Sequence, residues 1–164
     1  MKRLLCAVLV LILLPVCACA DLTAQFREMG DLCATYADIF DVSGVSVDGF
    51  SVAGKDRTFY SCALPSGLIV GFSSSDGETV SMAFVRRGSR ELTYDFLALC
   101  SAVIYTLVDD SNLKSSMMSQ LLLSYLISEK ENDDGLDIIA GNYAGGISKE
   151  DDGYQFVLIR VNGE

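Results

Sequence analysis

The sequence contains no histidine and no tryptophan, and it has only two prolines in 164 residues. Histidine is the usual base that activates a serine or cysteine nucleophile, and it is a common ligand of zinc. The six cysteines form no CxxC pair. We therefore expect no zinc or other metal site, no histidine-dependent hydrolase and no resident cofactor.

Positive charge is scarce as well. Lysine and arginine number 12 against 22 aspartates and glutamates, which gives a formal net charge of −10 at pH 7. Two of the basic residues, Lys2 and Arg3, lie at the extreme N-terminus, so residues 21–164 carry a net charge of −12. A field of this sign repels phosphate groups and anionic lipids. Nucleic acid is therefore not an expected partner.

The first twenty residues have the layout of a secretory signal. The two basic residues precede an apolar run from Leu4 to Leu14, and Pro15 and several small residues follow it. Small side chains at Ala18 and Ala20 favour cleavage before Asp21. The apolar run is shorter than the ~20 residues that a membrane span requires. Residues 1–20 are thus predicted to be a signal peptide. The protein is expected to be exported by a bacterium to the periplasm, the cell envelope or the medium. No transmembrane span is expected after cleavage.

A different cleavage site remains an alternative. The sequence Val16-Cys17-Ala18-Cys19 loosely resembles a bacterial lipobox, in which the last cysteine becomes the acylated N-terminus. Cleavage before Cys19 predicts a lipid-anchored surface protein, whereas cleavage before Asp21 predicts a free one.

Three cysteines remain after the leader, namely Cys33, Cys62 and Cys100. An odd number cannot form a closed set of disulfides. The sequence allows one disulfide with one free thiol, or three reduced thiols that behave as small apolar core residues.

Hydrophobic periodicity predicts a single α+β domain over residues 21–164. Apolar residues at helical spacing indicate a first helix from Asp21 to about Phe40, and alternation between Val45 and Phe84 indicates an antiparallel meander of three or four strands. Two apolar helices and a C-terminal β-hairpin follow. This order favours one antiparallel sheet with the helices mainly on one of its faces.

The two apolar helices are unusual because they lack charge. No charged residue occurs between Asp95 and Asp109, or between Lys114 and Glu129. A surface helix of an acidic protein is expected to carry charge on its outer side. The pair of helices is therefore either central to the fold or covered by a partner. The candidate interface residues are Met117, Met118, Leu122 and Tyr125.

Three charged segments, one basic and two acidic, are weaker candidates for a ligand site. Arg86, Arg87 and Arg90 lie where a strand passes into a helix, and a helix N-terminus can bind an anion. The simpler interpretation is that these arginines end the strand and balance nearby acids. Acidic loops at residues 131–137 and 150–152 lack the DxDxDG order of a calcium loop, which favours solvated turns.

These observations favour a non-enzymatic binding module that contacts a protein partner, or a second copy of itself, through the helical pair or an exposed sheet edge. A surface lipoprotein accessory anchored through Cys19 is the first alternative. A hydrolase that uses paired carboxylates or a Ser-Lys pair is the second.

Overall fold

A computed structural model describes residues 22–53, 58–131 and 135–161. It contains three helices and a seven-stranded antiparallel sheet, which confirms the predicted α+β class. The helices are α1 (22–39), α2 (Tyr94–Leu107) and α3 (Ser111–Glu131). The strands are β1 (Ser51–Ala53), β2 (Phe59–Ala63), β3 (Leu68–Ser73), β4 (Met82–Arg87), β5 (Ile138–Ala140), β6 (Tyr143–Glu150) and β7 (Gly153–Arg160). The candidate processing residues Ala18, Cys19, Ala20 and Asp21 lie outside the described residues.

All seven strands belong to one sheet with the order β1-β2-β3-β4-β7-β6-β5. The meander of β1 to β4 is continued by β7, which pairs with β4 in the register Val85↔Phe156. The predicted C-terminal hairpin is formed by β6 and β7, and β5 adds a short strand at the edge. The chain therefore returns after its last two helices to complete the sheet that it began before them.

The predicted meander of three or four strands is formed by β1 to β4, but it begins later than the alternation from Val45 indicated. A 3-10 helix at Val47–Gly49 precedes β1. The Phe50 N–H donates to the Val47 carbonyl at 3.2 Å, which closes this turn. The Asp48-Gly49 pair thus turns the chain into β1 instead of joining two strands.

Side-chain caps fix the starts of α2 and α3. The Thr93 side chain accepts a hydrogen bond from the Phe96 N–H at 3.4 Å. The Asp110 carboxylate accepts hydrogen bonds from the N–H groups of Asn112 and Leu113, at 2.7 and 3.0 Å. These oxygens satisfy donors that have no partner within the first turn of a helix.

All three helices lie on the same face of the sheet. The Phe26 ring of α1 stacks on Tyr60 with 5.5 Å between ring centroids. The Tyr143 hydroxyl donates to the Leu107 carbonyl at the end of α2, and the Tyr154 hydroxyl donates to a carbonyl of α3. Because Tyr60, Tyr143 and Tyr154 share one side of the pleated sheet, the other side faces away from the helices.

Helix α2 occupies the centre of the helical layer. The ring of Tyr105 contacts Tyr36 of α1 and Phe40 just after it, with centroids 5.4 Å apart, while α3 packs on α2. Ten of the fourteen residues of α2 are buried. The absence of charge after Asp95 in α2 therefore follows from its position in the fold, because an unpaired charge on a buried side of this helix would be desolvated.

Candidate functional site

The side of the sheet that faces away from the helices is called here the open face. At one end of this face lie the charged residues Arg86 on β4 and Glu150 on β6. Toward the other end, the side chains form two rows of cross-strand neighbours. The first row contains Phe59, Ser73, Met82, Ile159, Ala144 and Ile139. The second row contains Ser61, Gly71, Phe84, Val157 and Gly146. Neither row contains a charged residue, although the chain has a net charge of −10.

Several large apolar side chains of the open face are exposed to solvent. Ile139 is 66% exposed, Phe59 43% and Ile159 42%. Met82, Phe84 and Val157 lie between them and are half-buried. Exposed apolar residues that occur singly are normal on protein surfaces, but a contiguous apolar patch usually marks a contact site.

The ring of Phe84 covers a glycine on this face. A Cβ atom built on Gly71 would lie only 2.5 Å from Cζ of Phe84, so the Phe84 ring lies directly over Gly71 of the neighbouring strand. Aromatic rings often cover a glycine on an adjacent strand in this way. The glycine therefore holds the ring flat against the sheet, on the β3 side of β4.

A shallow groove lies two strands away, above Gly146. Its volume is about 470 Å³, and its walls include Ile139, Ala144, Val157, Ile159 and Asp137. A Cβ atom built on Gly146 would lie 3.5 Å from the Leu136 carbonyl oxygen and 3.8 Å from Asp137 Oδ1. A side chain therefore fits at Gly146 without a clash, beside the carboxylate of Asp137.

One edge of the sheet is closed by a side chain of α3. The Gln120 Oε1 atom accepts a hydrogen bond from the Ile139 N–H at 2.9 Å, and the Gln120 Nε2 atom donates to the Ile139 carbonyl at 3.2 Å. Gln120 therefore satisfies the outward backbone groups in the middle of β5. Unpaired groups of an edge strand are what another chain would bind. This arrangement disfavours the predicted contact through an exposed edge at β5.

The residues predicted for a helical interface are separated by the fold. Met117 is fully buried and Tyr125 is 8% exposed, because both point from α3 into the core. A partner cannot reach these two side chains in this fold. Met118 is half-buried, and Leu122 is 50% exposed next to Leu126. What remains for a contact on α3 is a narrow strip on one side of one helix.

The three arginines of the predicted anion site are not brought together. Arg86 Nη2 lies 3.1 Å from both carboxylate oxygens of Asp152 on the open side of the sheet. Arg87 points to the helical side and its Nη1 donates to Thr93 Oγ1 at 2.6 Å. Arg90 Nη2 donates to the backbone carbonyl of Asp151 at 3.4 Å. Successive strand residues point to opposite faces, so Arg86 and Arg87 do not converge on one ligand.

The three cysteines among the described residues, Cys33, Cys62 and Cys100, are free and buried. Burial raises the pKa of Cys33 to about 12, although a hydrogen bond with Thr106 acts in the opposite direction. Burial also raises the pKa of Cys62, and it raises that of Cys100 well above its ordinary value. A cysteine acts as a nucleophile or metal ligand through its thiolate. These protonated thiols serve as small apolar residues of the core.

Residues 22–53, 58–131 and 135–161 lack two further features. Within these ranges, no group of three or more histidine, cysteine, aspartate or glutamate side chains is placed to hold a metal ion. In the same part of the chain, no helix has the length and apolar character that crossing a bilayer requires.

The sequence contains a signal for the open face that the alternation pattern obscured. In strands β4 and β7, residues 82–85 and 156–159 are apolar on both sides of the sheet. Continuous apolar runs are typical of strands that are covered on both faces. The alternation pattern uses only the residues that point to the helices, so it does not reveal the second apolar face.

No protein-family model, no curated protein and no solved structure matches this chain.

Proposed function

We propose that this chain is an exported, non-enzymatic interaction module that contacts another protein surface through the open face of its sheet. The observation that carries the proposal is the absence of charge from eleven neighbouring positions on that face, in a chain with 22 acidic residues. Solvated surfaces of such an acidic protein are expected to share its charge. The eleven positions of the two rows do not, which supports a role in contact.

The composition of the face supports the same proposal. The buried centres of protein interfaces are depleted of charged residues and enriched in aromatic residues and methionine. The open face carries Phe59, Phe84 and Met82 between aliphatic neighbours. Arg86 lies beside the second row, and its ion pair with Asp152 provides a charged rim at one end.

The strip on α3 is a weaker candidate for the same role. Leu122, Leu123 and Leu126 are each about half exposed. Leu122 lines a groove of about 310 Å³ between α2 and α3, together with Leu97, Ser101, Met118 and Ser119. The open face spans several strands, and its groove of about 470 Å³ is larger. A specific interface needs a broad patch with a well-packed centre. We therefore assign the contact to the sheet.

Photo-crosslinking in the native host tests this proposal. A photoreactive phenylalanine analogue replaces Ile159 on the open face in one variant and Leu122 on α3 in a matched variant. We expect a discrete crosslinked protein from the Ile159 variant only, identified by mass spectrometry. Equal labelling from both positions, or no product from the Ile159 position, contradicts the proposal.

Export is a separate part of the proposal, and it depends on the leader. The intact mass of the protein recovered from its host distinguishes the two cleavage sites. A chain that begins at Asp21 supports a free exported domain, and a diacylated chain that begins at Cys19 supports a tethered one. A chain that retains Met1 contradicts both.

A further inference from the structure

We infer that the occupant of the open face is the open face of a second copy of this chain, so that the protein forms a face-to-face homodimer. This inference rests on the proposed function and names its partner. The face is self-complementary about one strand, β7, which lies between β4 and β6 in the sheet. A twofold symmetric interface requires such self-complementarity, because each copy contributes the same patch.

The large and small residues are placed as this symmetry requires. On β4 the two open-face residues are large, Met82 and Phe84, whereas their counterparts on β6 are small, Ala144 and Gly146. Neighbouring strands are about 4.8 Å apart, so the two pairs lie at equal distances on either side of β7. A twofold axis that runs along β7 above Val157 exchanges the two sides.

The groove above Gly146 then receives an aromatic ring. About this axis, the backbone of Phe84 in each copy faces Gly146 of the other, and Met82 faces Ala144. The Phe84 ring lies toward β3, so it faces the part of the groove between β6 and β5, beside Asp137. The groove of about 470 Å³ is large enough for a phenyl ring. Two sheets that pack in this way lie about 10 Å apart with their strands within about 30° of each other.

Charge also favours a second copy at this position. Two chains of net charge −10 repel each other, and the repulsion is smallest where the facing surfaces carry no charge. The two rows of the open face meet this condition. About the same axis, Arg86 of one copy faces Ser148 of the other, so no pair of like charges is brought together.

The size of the face suits a specific but modest contact. About the axis along β7, the strands that face strands of the other copy are β3, β4, β7, β6 and β5. These strands cover about 24 Å across and about 20 Å along their length, so the flat area is at most about 500 Å² per copy. Two copies bury about 1,000 Å², which is near the lower limit for a specific interface. We therefore expect a dissociation constant in the micromolar range, and stronger association at higher salt because salt screens the repulsion.

Sedimentation equilibrium of the purified protein tests the inference through Val157, which lies on the axis and faces its own copy. Val157→Asp and Val157→Lys each place two like charges in contact, and each is expected to raise the dissociation constant on the order of a hundredfold. Mixing the two variants brings opposite charges together and is expected to restore a dimer. Leu122→Asp on α3 is the matched control and is expected to dimerise as the parent does.

A second variant addresses the groove and protects the test against a folding defect. Gly146→Leu adds a side chain where a Cβ meets no atom within 3.4 Å, so the monomer is expected to fold normally. The new side chain occupies the space that Phe84 of the other copy requires, and dimerisation is expected to weaken at least tenfold. The inference is overturned if Gly146→Leu has the same dissociation constant as the parent. It is also overturned if Val157→Asp and Val157→Lys, each measured alone, dimerise as strongly as the parent.

The outcomes separate this inference from the proposed function. A parent protein that stays monomeric over the micromolar range, together with a discrete Ile159 crosslink to a different protein, overturns self-association and leaves the contact role of the open face intact. A monomer without any Ile159 crosslink overturns both. An Ile159 crosslink to the same chain supports both.

Discussion

The two faces of the sheet are similar in composition but differ in what covers them. Both faces are apolar in the central strands, but the helical face is covered by α1, α2 and α3, whereas no described element lies on the open face. Phe156 on the helical face is fully buried, and its neighbour Val157 on the open face is not. An apolar surface without cover in the monomer is more informative about function than the core, because packing within the chain does not account for it.

The largest expected difference between the faces concerns stability. Phe156→Ala removes a fully buried ring from the helical face and is expected to lower the free energy of unfolding by about 3–5 kcal/mol. Phe84→Ala removes a half-buried ring from the open face, where part of the ring is already hydrated, and is expected to cost about 1–2 kcal/mol.

Urea unfolding at concentrations where the protein is monomeric measures both values. Phe84→Ala is expected to weaken dimerisation strongly despite its smaller effect on stability. If Phe84→Ala costs as much as Phe156→Ala in the monomer, the two faces are equally part of the core and the comparison fails.

A second, smaller effect is expected at the edge of the sheet. Gln120→Ala removes both hydrogen bonds to Ile139 and is expected to cost about 0.5–1.5 kcal/mol per bond at most, since these groups are near solvent. The exposed edge then becomes available for strand pairing, so larger, open-ended species are expected in light scattering.

Gln120→Glu is the matched control. Its carboxylate still accepts from the Ile139 N–H but cannot donate to the Ile139 carbonyl, so an intermediate effect is expected. Growth of the same large species in the parent protein would show that the edge, and not the open face, is the contact surface.

The smallest expected effect belongs to a turn that lies on neither face. Asp76, between β3 and β4, accepts hydrogen bonds from the N–H groups of Glu78 and Thr79, and its pKa is held well below its usual value of 3.8. Because the folded pKa is depressed, this contribution to stability is present above about pH 4 and is lost as the pH falls toward the folded pKa.

Thermal unfolding between neutral and acidic pH measures this contribution. Asp76→Asn is expected to reduce the melting temperature slightly at neutral pH and to flatten the decline at acidic pH. Its dimerisation at neutral pH is expected to equal that of the parent, because Asp76 contributes no side chain to the two rows of the open face. A parallel loss of dimer would show that association reports general stability instead of the open face.

Much of the fold could be predicted from local patterns. Helical periodicity identified α1, and alternation identified β2, β3 and β4. These features depend on residues close together in sequence. The pairing of β4 with β7 could not be predicted in the same way, because it joins residues about seventy positions apart.

The candidate site was harder to predict for a related reason. Alternation shows which residues share a face, but it does not show which face is covered when both are apolar. The absence of charge in α2 and α3 was correctly identified as unusual, yet in α2 it reflects burial between α1 and α3. For the same reason, Met117 and Tyr125 are core residues, and only Leu122 and part of Met118 reach the surface.

The most direct test of the account uses the position on the proposed twofold axis. A Val157→Cys variant is treated with a short homobifunctional thiol reagent, and Leu122→Cys is treated in parallel. The native thiols Cys33, Cys62 and Cys100 are buried and protonated, so they are expected to react little with the reagent. The account predicts a covalent dimer from Val157→Cys and none from Leu122→Cys at the same protein concentration. Equal yields from the two variants, or no dimer from Val157→Cys, would contradict the claim that the open face meets its own copy.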